Sequence, residues 1–173
     1  MKTETKIPAW VGDTLQPVEK LDTHLRGLRH KAVSVFVLAD GALLLQQRAL
    51  CKYHTPGLWA NTCCTHPEWD EPDMICATRR LDEELGIRGI TAEHRGQVEY
   101  RADVGDGMTE HELVEVFVVE AQRDLHVQLN PDEVMDTRWV TPAQLREEIA
   151  QTPQIFTPWL RIYMAEHSAL IFG

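Results

Sequence analysis

Hydrophobic and polar positions follow two rhythms along the chain. Ala32–Leu38 (AVSVFVL) and Ala42–Gln47 (ALLLQQ) are short apolar runs, and the Asp40-Gly41 between them favours a tight hairpin turn. Met74, Ala77, Leu81 and Leu85 recur at three- and four-residue intervals, which predicts a helix capped by Asp73 and stopped at Gly86. Ile90–Arg101 reads as a strand or two, and ADVGDGM at 102–108 as a turn. Glu110–Glu120 (EHELVEVFVVE) reads as a strand running from two carboxylates into an apolar stretch. A short strand around Thr137–Val140, a helix over Thr141–Ala150 capped by its threonine, and an amphipathic helix over Phe156–Phe172 complete the pattern. Residues 1–15 lack a strong period and are expected to form a loose N-terminal arm.

Length and composition narrow the class. A chain of 173 residues is expected to form one domain, 1–173, large enough for a proper core. The net charge of −10 disfavours a nucleic-acid surface but leaves room for a local basic pocket. No run approaches the roughly 20 apolar residues that cross a bilayer, and MKTETKIPAW lacks the apolar centre of a secretion signal. A cytoplasmic protein follows, with neither nucleic acid nor membrane as partner, acting as a monomer or a weak homodimer. The four cysteines show no CxxC spacing, so neither a disulfide framework nor a zinc knuckle is favoured.

Chemistry concentrates between Trp59 and Ile87. Cys64 and His66 are two apart on a predicted extended segment, so a thiol and an imidazole address one side. Arg80 and Glu84 are one helical turn apart and project together. Glu110 and Glu112, also two apart, lie where their strand enters the core. His24 and His30 would diverge on a helix, but an extended or looped path brings both inward. The set His24, His30, His66, Glu110 and Glu112 offers nitrogens and oxygens that suit Zn²⁺ or Mn²⁺, with Mg²⁺ competing at an octahedral centre. Glu84 is a candidate for a second ion, Mg²⁺, shared with phosphate oxygens. Lys20, Arg48, Lys52 and Arg80 would supply positive charge if the loop after Arg48 folds over the pocket. Taken singly, each has a plainer reading: solvated charge, buried small thiol, or, for Trp159, core packing. Tyr53, His54 and Pro56-Gly57 read as ordinary loop residues.

Thr65–Ile87 resembles a degenerate Nudix box. Glu71, Arg79, Leu81, Glu83, Glu84, Gly86 and Ile87 fit, whereas Thr65 replaces the usual Gly and Arg80 the first helix Glu. With NTCCTHP, RRLDEELG, the EHE triplet and FTPW, the chain resembles the type 1 isopentenyl-diphosphate isomerase branch of that superfamily from about Lys20 to Trp159. The resemblance implies an α/β fold, a Nudix-type α/β/α sandwich with a mixed sheet. It also implies a first metal on His24, His30, His66, Glu110 and Glu112, and Mg²⁺ held with the diphosphate by Glu84. Substrate contacts would fall on Lys20, Arg48, Lys52 and Arg80. On this reading Cys64 and Glu112 are the acid/base pair, Tyr100 assists, and the Trp159 ring faces the developing positive charge. A Nudix-type diphosphate hydrolase and a non-catalytic metal-dependent diphosphate-binding module are the alternatives.

Overall fold

The computed structural model describes residues 5–173. Nine strands form one mixed sheet: β1 (Lys6–Val11), β2 (Thr14–Glu19), β3 (Arg29–Ala39), β4 (Ala42–Arg48), β5 (Trp59–Ala60), β6 (Cys63–Thr65), β7 (Glu93–Gly105), β8 (Met108–Glu120) and β9 (Val134–Val140). Among the strands of the described residues, β3 and β8 alone pair in parallel. The helices are α1 (Lys20–Leu25), α2 (Asp73–Leu85), α3 (Pro142–Gln151), α4 (Pro158–Glu166) and α5 (Ser168–Phe172).

Strand alternation sorts the interior into two cores. Ala32, Phe36 and Leu38 of β3 join Val114, Val116 and Val118 of β8 and Leu160, Tyr163 and Met164 of α4 on one face. Val33, Val35 and Val37 join Leu44, Cys63 and the buried stripe of α2, Cys76, Ala77, Leu81 and Leu85, on the other. This is the layered sandwich expected, with α2 on one side of the sheet and α4 and α5 on the other. The same parity turns His30, Ser34, Cys64, Tyr100, Glu110 and Glu112 toward the α4 face.

The sheet also splits. β3 and β4 pair only next to their turn, at Leu38–Leu43 and Ala39–Ala42, and then diverge while β6 pairs with β3 at Val33–Val35. Side chains take over the missing ladder bonds: Thr62 Oγ1 accepts from Val37 N at 2.9 Å and donates to Leu44 O at 2.6 Å. The split opens the sheet to residues from both faces. The turn that precedes it has φ of +50° at Asp40 and +74° at Gly41, the left-handed pair that an Asp-Gly hairpin requires.

Several expectations need correcting. Residues 6–19 form a β1–β2 hairpin, not a loose arm, with Ile7 and Ala9 fully buried and Ala9 bridging to His30; residues 1–4 of the expected arm lie outside the described residues. Its prolines sit opposite each other, Pro8 to Pro17, which masked the strand signal. Asp73 does not cap α2: Pro72 holds that position, and Asp73 sits in the first turn, 3.1 Å from Lys31 Nζ. Met74 is exposed, and Cys76 takes an inner position. The predicted Phe156–Phe172 helix starts two residues later, because Thr157 is pinned to Trp59 O at 2.9 Å, its side chain caps α4, and Pro158 begins the helix; it breaks at His167, whose φ of −129° is not helical. Gly86 ends α2 as expected, at φ +61°.

Candidate active site

A narrow pocket lies at the end of the sheet split, lined by Lys20, Arg48, Lys52, Cys64, His66, Arg80, Glu84, Tyr100, Glu110, Glu112 and Trp159, together with Tyr53, His54 and Thr65. Residues from the two faces of the sheet therefore meet in one place. His24 and His30 stand directly behind Glu110, both fully buried.

The histidines converge because α1 ends as β3 begins. His24 Nδ1 lies 2.6 Å from Lys20 O and His30 Nδ1 lies 2.7 Å from Leu28 O. A carbonyl only accepts, so each Nδ1 carries a proton and donates it to the main chain, leaving Nε2 to face inward. Those Nε2 atoms sit 3.1 and 3.2 Å from one oxygen, Oε2 of Glu110. His66 Nε2 lies 3.7 Å from the same oxygen and 2.9 Å from Glu112 Oε1, which is also 3.5 Å from His30 Nε2. One ligand atom from each of His24, His30, His66 and Glu110 falls within 4.8 Å of the others. Lone pairs on imidazole and carboxylate at these separations repel unless a cation or protons lie among them. The cluster does gather protons: burial opposes charge on His30, but hydrogen bonds to Glu110 and Glu112 outweigh it and push its pKa up to about 10. Burial likewise disfavours ionised Glu110, yet four histidines hold it well below the usual carboxylate range. Burial depresses His66, and its Nδ1 has no partner. The donor set, the main-chain locks on two rings and the demand for positive charge all fit a divalent metal ion.

Glu84 is near this cluster but belongs to another network. It is buried, accepts from Gln46 Nε2 at 2.9 Å, and pairs with Arg80 Nη2 at 2.7 Å. Arg80 also reaches Glu83 and Glu133, and Lys52 pairs with Glu133 at 2.5 Å. Arg48 donates to the Thr55 and His54 carbonyls at 3.2 and 3.1 Å and lies 5.3 Å from the Trp159 ring centre. Two of its donors thus hold the loop it precedes. Burial, followed by Lys52 and Arg80, lowers Lys20 to about 8. A lysine depressed by other cations inside a protein of net charge −10 marks a locally positive pocket, the setting that an anionic group stabilises.

Cys64 and Glu112 approach the cavity from either side of β3, on β6 and β8. Tyr100 donates to Glu112 Oε2 at 2.5 Å. The Cys64 sulfur lies 2.9 Å from Asn61 Oδ1 and 3.1 Å from Ser34 Oγ, which accepts from the Tyr163 hydroxyl at 3.0 Å. Burial raises the thiol well above its ordinary range despite those two contacts, so the sulfur keeps its proton. Trp159 is buried with its Nε1 unpartnered. Ser34, Asn61, Tyr163, Tyr53 and His54 were not among the candidates. Ser34 and Tyr163 are polar residues in an apolar strand and a helix whose pairing spans 129 residues, and Asn61 lies in the short connection between β5 and β6, three residues before the thiol it holds. A signal for the last two was present in the unusual density of rings in KYHTPGLW.

The layered fold and the converging polar cluster define a protein of the Nudix class, and the NUDIX domain model matches residues 28–160. Among solved structures, the Deinococcus radiodurans protein DR0079 superposes with a TM-score of 0.74 at 15% identity, over 94% of this chain and 99% of that one. A MutT NUDIX hydrolase from Burkholderia pseudomallei superposes at 0.62 with 24% identity, over 80% and 98%. These likenesses establish the fold alone. Much nearer in sequence are the isopentenyl-diphosphate Delta-isomerases of Roseobacter denitrificans, 64% identical over 96% of this chain and 95% of the relative, and of Rhodobacter capsulatus, 60% identical over 98% and 96%. The chain belongs to the isopentenyl-diphosphate Delta-isomerase family within the Nudix superfamily.

Proposed function

We propose that this protein interconverts isopentenyl and dimethylallyl diphosphate, moving a double bond from C3–C4 to C2–C3 and leaving phosphorus untouched. One observation carries the reading: Cys64 and Glu112 share a cavity with an indole ring and a cluster of cations. The electrons of the C3–C4 π bond form a new C4–H bond, and a proton leaves C2 so that its C–H electrons form the C2–C3 bond. Positive charge gathers at C3 between these events. Cys64 and Glu112 are the groups that give and take those protons. Tyr100 steadies Glu112 through its hydrogen bond. The Trp159 ring face stabilises charge at C3, and its apolar surroundings strengthen that effect.

Lys20, Arg48, Lys52 and Arg80 bind the diphosphate end of the substrate. His24, His30, His66 and Glu110, with Glu112 at their edge, would hold Mn²⁺ or Zn²⁺, and Glu84 would hold Mg²⁺ together with diphosphate oxygens. When bound, such ions supply fixed positive charge that orders the carboxylates and neutralises phosphate. A hydrolytic Nudix site needs a cluster of free carboxylates on α2. Here Arg80 neutralises Glu83 and Glu84, which favours isomerisation over hydrolysis.

The test is to supply isopentenyl diphosphate to the metal-loaded protein and follow it by phosphorus and proton NMR. Dimethylallyl diphosphate with both phosphorus atoms retained is expected. Release of inorganic phosphate with no new alkene would contradict the reading.

A further inference from the structure

A fourth imidazole touches the histidine and glutamate cluster and has no task in the scheme above. His54, buried in the loop after β4, places Nε2 2.8 Å from Glu110 Oε1, the oxygen turned away from the other rings. Its Nδ1 lies 2.9 Å from Thr55 Oγ1. A carboxylate oxygen only accepts, so the proton sits on Nε2, and Nδ1 then accepts from the threonine hydroxyl. The chain of donors runs from Thr55 through His54 to Glu110. Glu110 is thereby divided: Oε1 is occupied by His54, and Oε2 alone faces His24, His30 and His66.

The loop is built to hold this ring. Thr55 sits at φ +47°, a conformation that β-branched residues avoid and that persists only where the surroundings enforce it. Arg48 enforces it by donating to the carbonyls of both His54 and Thr55. The imidazole packs edge-on against Tyr53 and Trp159, with ring centres 4.4 and 5.8 Å away.

We propose that His54 is a positioning residue for the metal centre, fixing Glu110 so that a single oxygen is presented to the ion. The inference rests on the metal site proposed above. Outer partners of this kind change metal affinity by about 10–100-fold.

The experiment measures Mn²⁺ affinity by the loss of the free-ion EPR signal, with no substrate present. His54→Phe keeps a ring but removes the donor, and about tenfold or greater weakening is expected. His54→Gln restores an N–H at nearly the same place and should recover most of the affinity. Thr55→Val removes the hydroxyl while keeping the branched shape and should weaken binding in the same direction, which keeps the inference testable if His54→Phe does not fold. Wild-type affinity in His54→Phe, or in Thr55→Val should the first variant not fold, would overturn the role of His54 while leaving the metal site standing. Failure of the wild-type protein to take up Mn²⁺ would overturn the metal site and this inference with it.

Discussion

Asn61 holds the Cys64 thiol by one fixed oxygen. Its Oδ1 accepts from sulfur at 2.9 Å, while its Nδ2 donates to the carbonyls of Val35 and Cys63, both at 3.1 Å, so the amide cannot turn over without losing two buried bonds. Ser34 approaches the same sulfur at 3.1 Å, with Tyr163 as its own donor. The hydroxyl proton of Ser34 is therefore directed at sulfur, and the thiol proton at Asn61. Ser34→Ala should lower kcat by about tenfold, the size of one net hydrogen bond, with little change in KM. Steady-state kinetics checks this; a rise in KM alone would place Ser34 in substrate binding.

Cys64→Ala and Glu112→Gln should each lose on the order of a hundredfold or more in turnover, because each removes one half of the proposed proton-transfer pair. Glu112→Gln should also weaken metal binding, since Glu112 Oε1 lies 2.9 Å from His66 Nε2. Cys64→Ala should leave metal affinity unchanged. Single-turnover kinetics beside a Mn²⁺ titration separates the two effects, and residual activity near wild type in either variant would remove that residue from the pair.

Metal uptake should release protons. His30, pushed up to about 10 by Glu110 and Glu112 against the opposing effect of burial, is protonated at pH 7.5 in the metal-free protein. It must surrender that proton to offer Nε2 to an ion. Calorimetry in buffers of different ionisation enthalpy should return about one proton released per Mn²⁺ bound. A buffer-independent heat would contradict this protonation state.

The metal-free fold should weaken in mild acid. Burial, first among the causes, lowers His54 from 6.5 to about 4. A base with a depressed folded pKa binds its proton more readily when unfolded, so its stabilising contribution is present above pH 6.5 and is lost as pH falls toward 4. The contribution at stake is about 3 kcal/mol. Thermal melting between pH 7 and 4.5 should show this loss, and His54→Gln should flatten that limb. An equal slope in both proteins would assign the acid weakening to other groups.

Arg80→Ala should destabilise the metal-free protein toward the low end of about 3–5 kcal/mol, because it strips the counter-charge from buried Glu84. Gln46 still donates to Glu84, which limits the loss. Urea denaturation measures it, and an unchanged midpoint would show that Arg80 serves the substrate alone.

The sequence made the central frame legible wherever local chemistry decided structure. Asp40-Gly41 specifies its own turn, and the α2 stripe with Gly86 specifies its own helix. The convergence of His24 and His30 was open because it depends on where α1 stops and β3 begins. Tyr53 and His54 read as loop residues in sequence because their place in the cavity depends on Arg48 gripping the loop backbone. Ser34 and Tyr163 carry no local signal for a different reason: 129 residues separate them, and neither has meaning until α4 packs on β3. The N-terminal hairpin was hidden by prolines that pair across it.

The most direct measurement follows isopentenyl diphosphate in deuterated water with metal-loaded protein. Dimethylallyl diphosphate carrying solvent deuterium in the methyl group derived from C4, with its diphosphate intact, is the predicted result. Conversion without deuterium, or phosphate release in its place, would contradict proton transfer by Cys64 and Glu112.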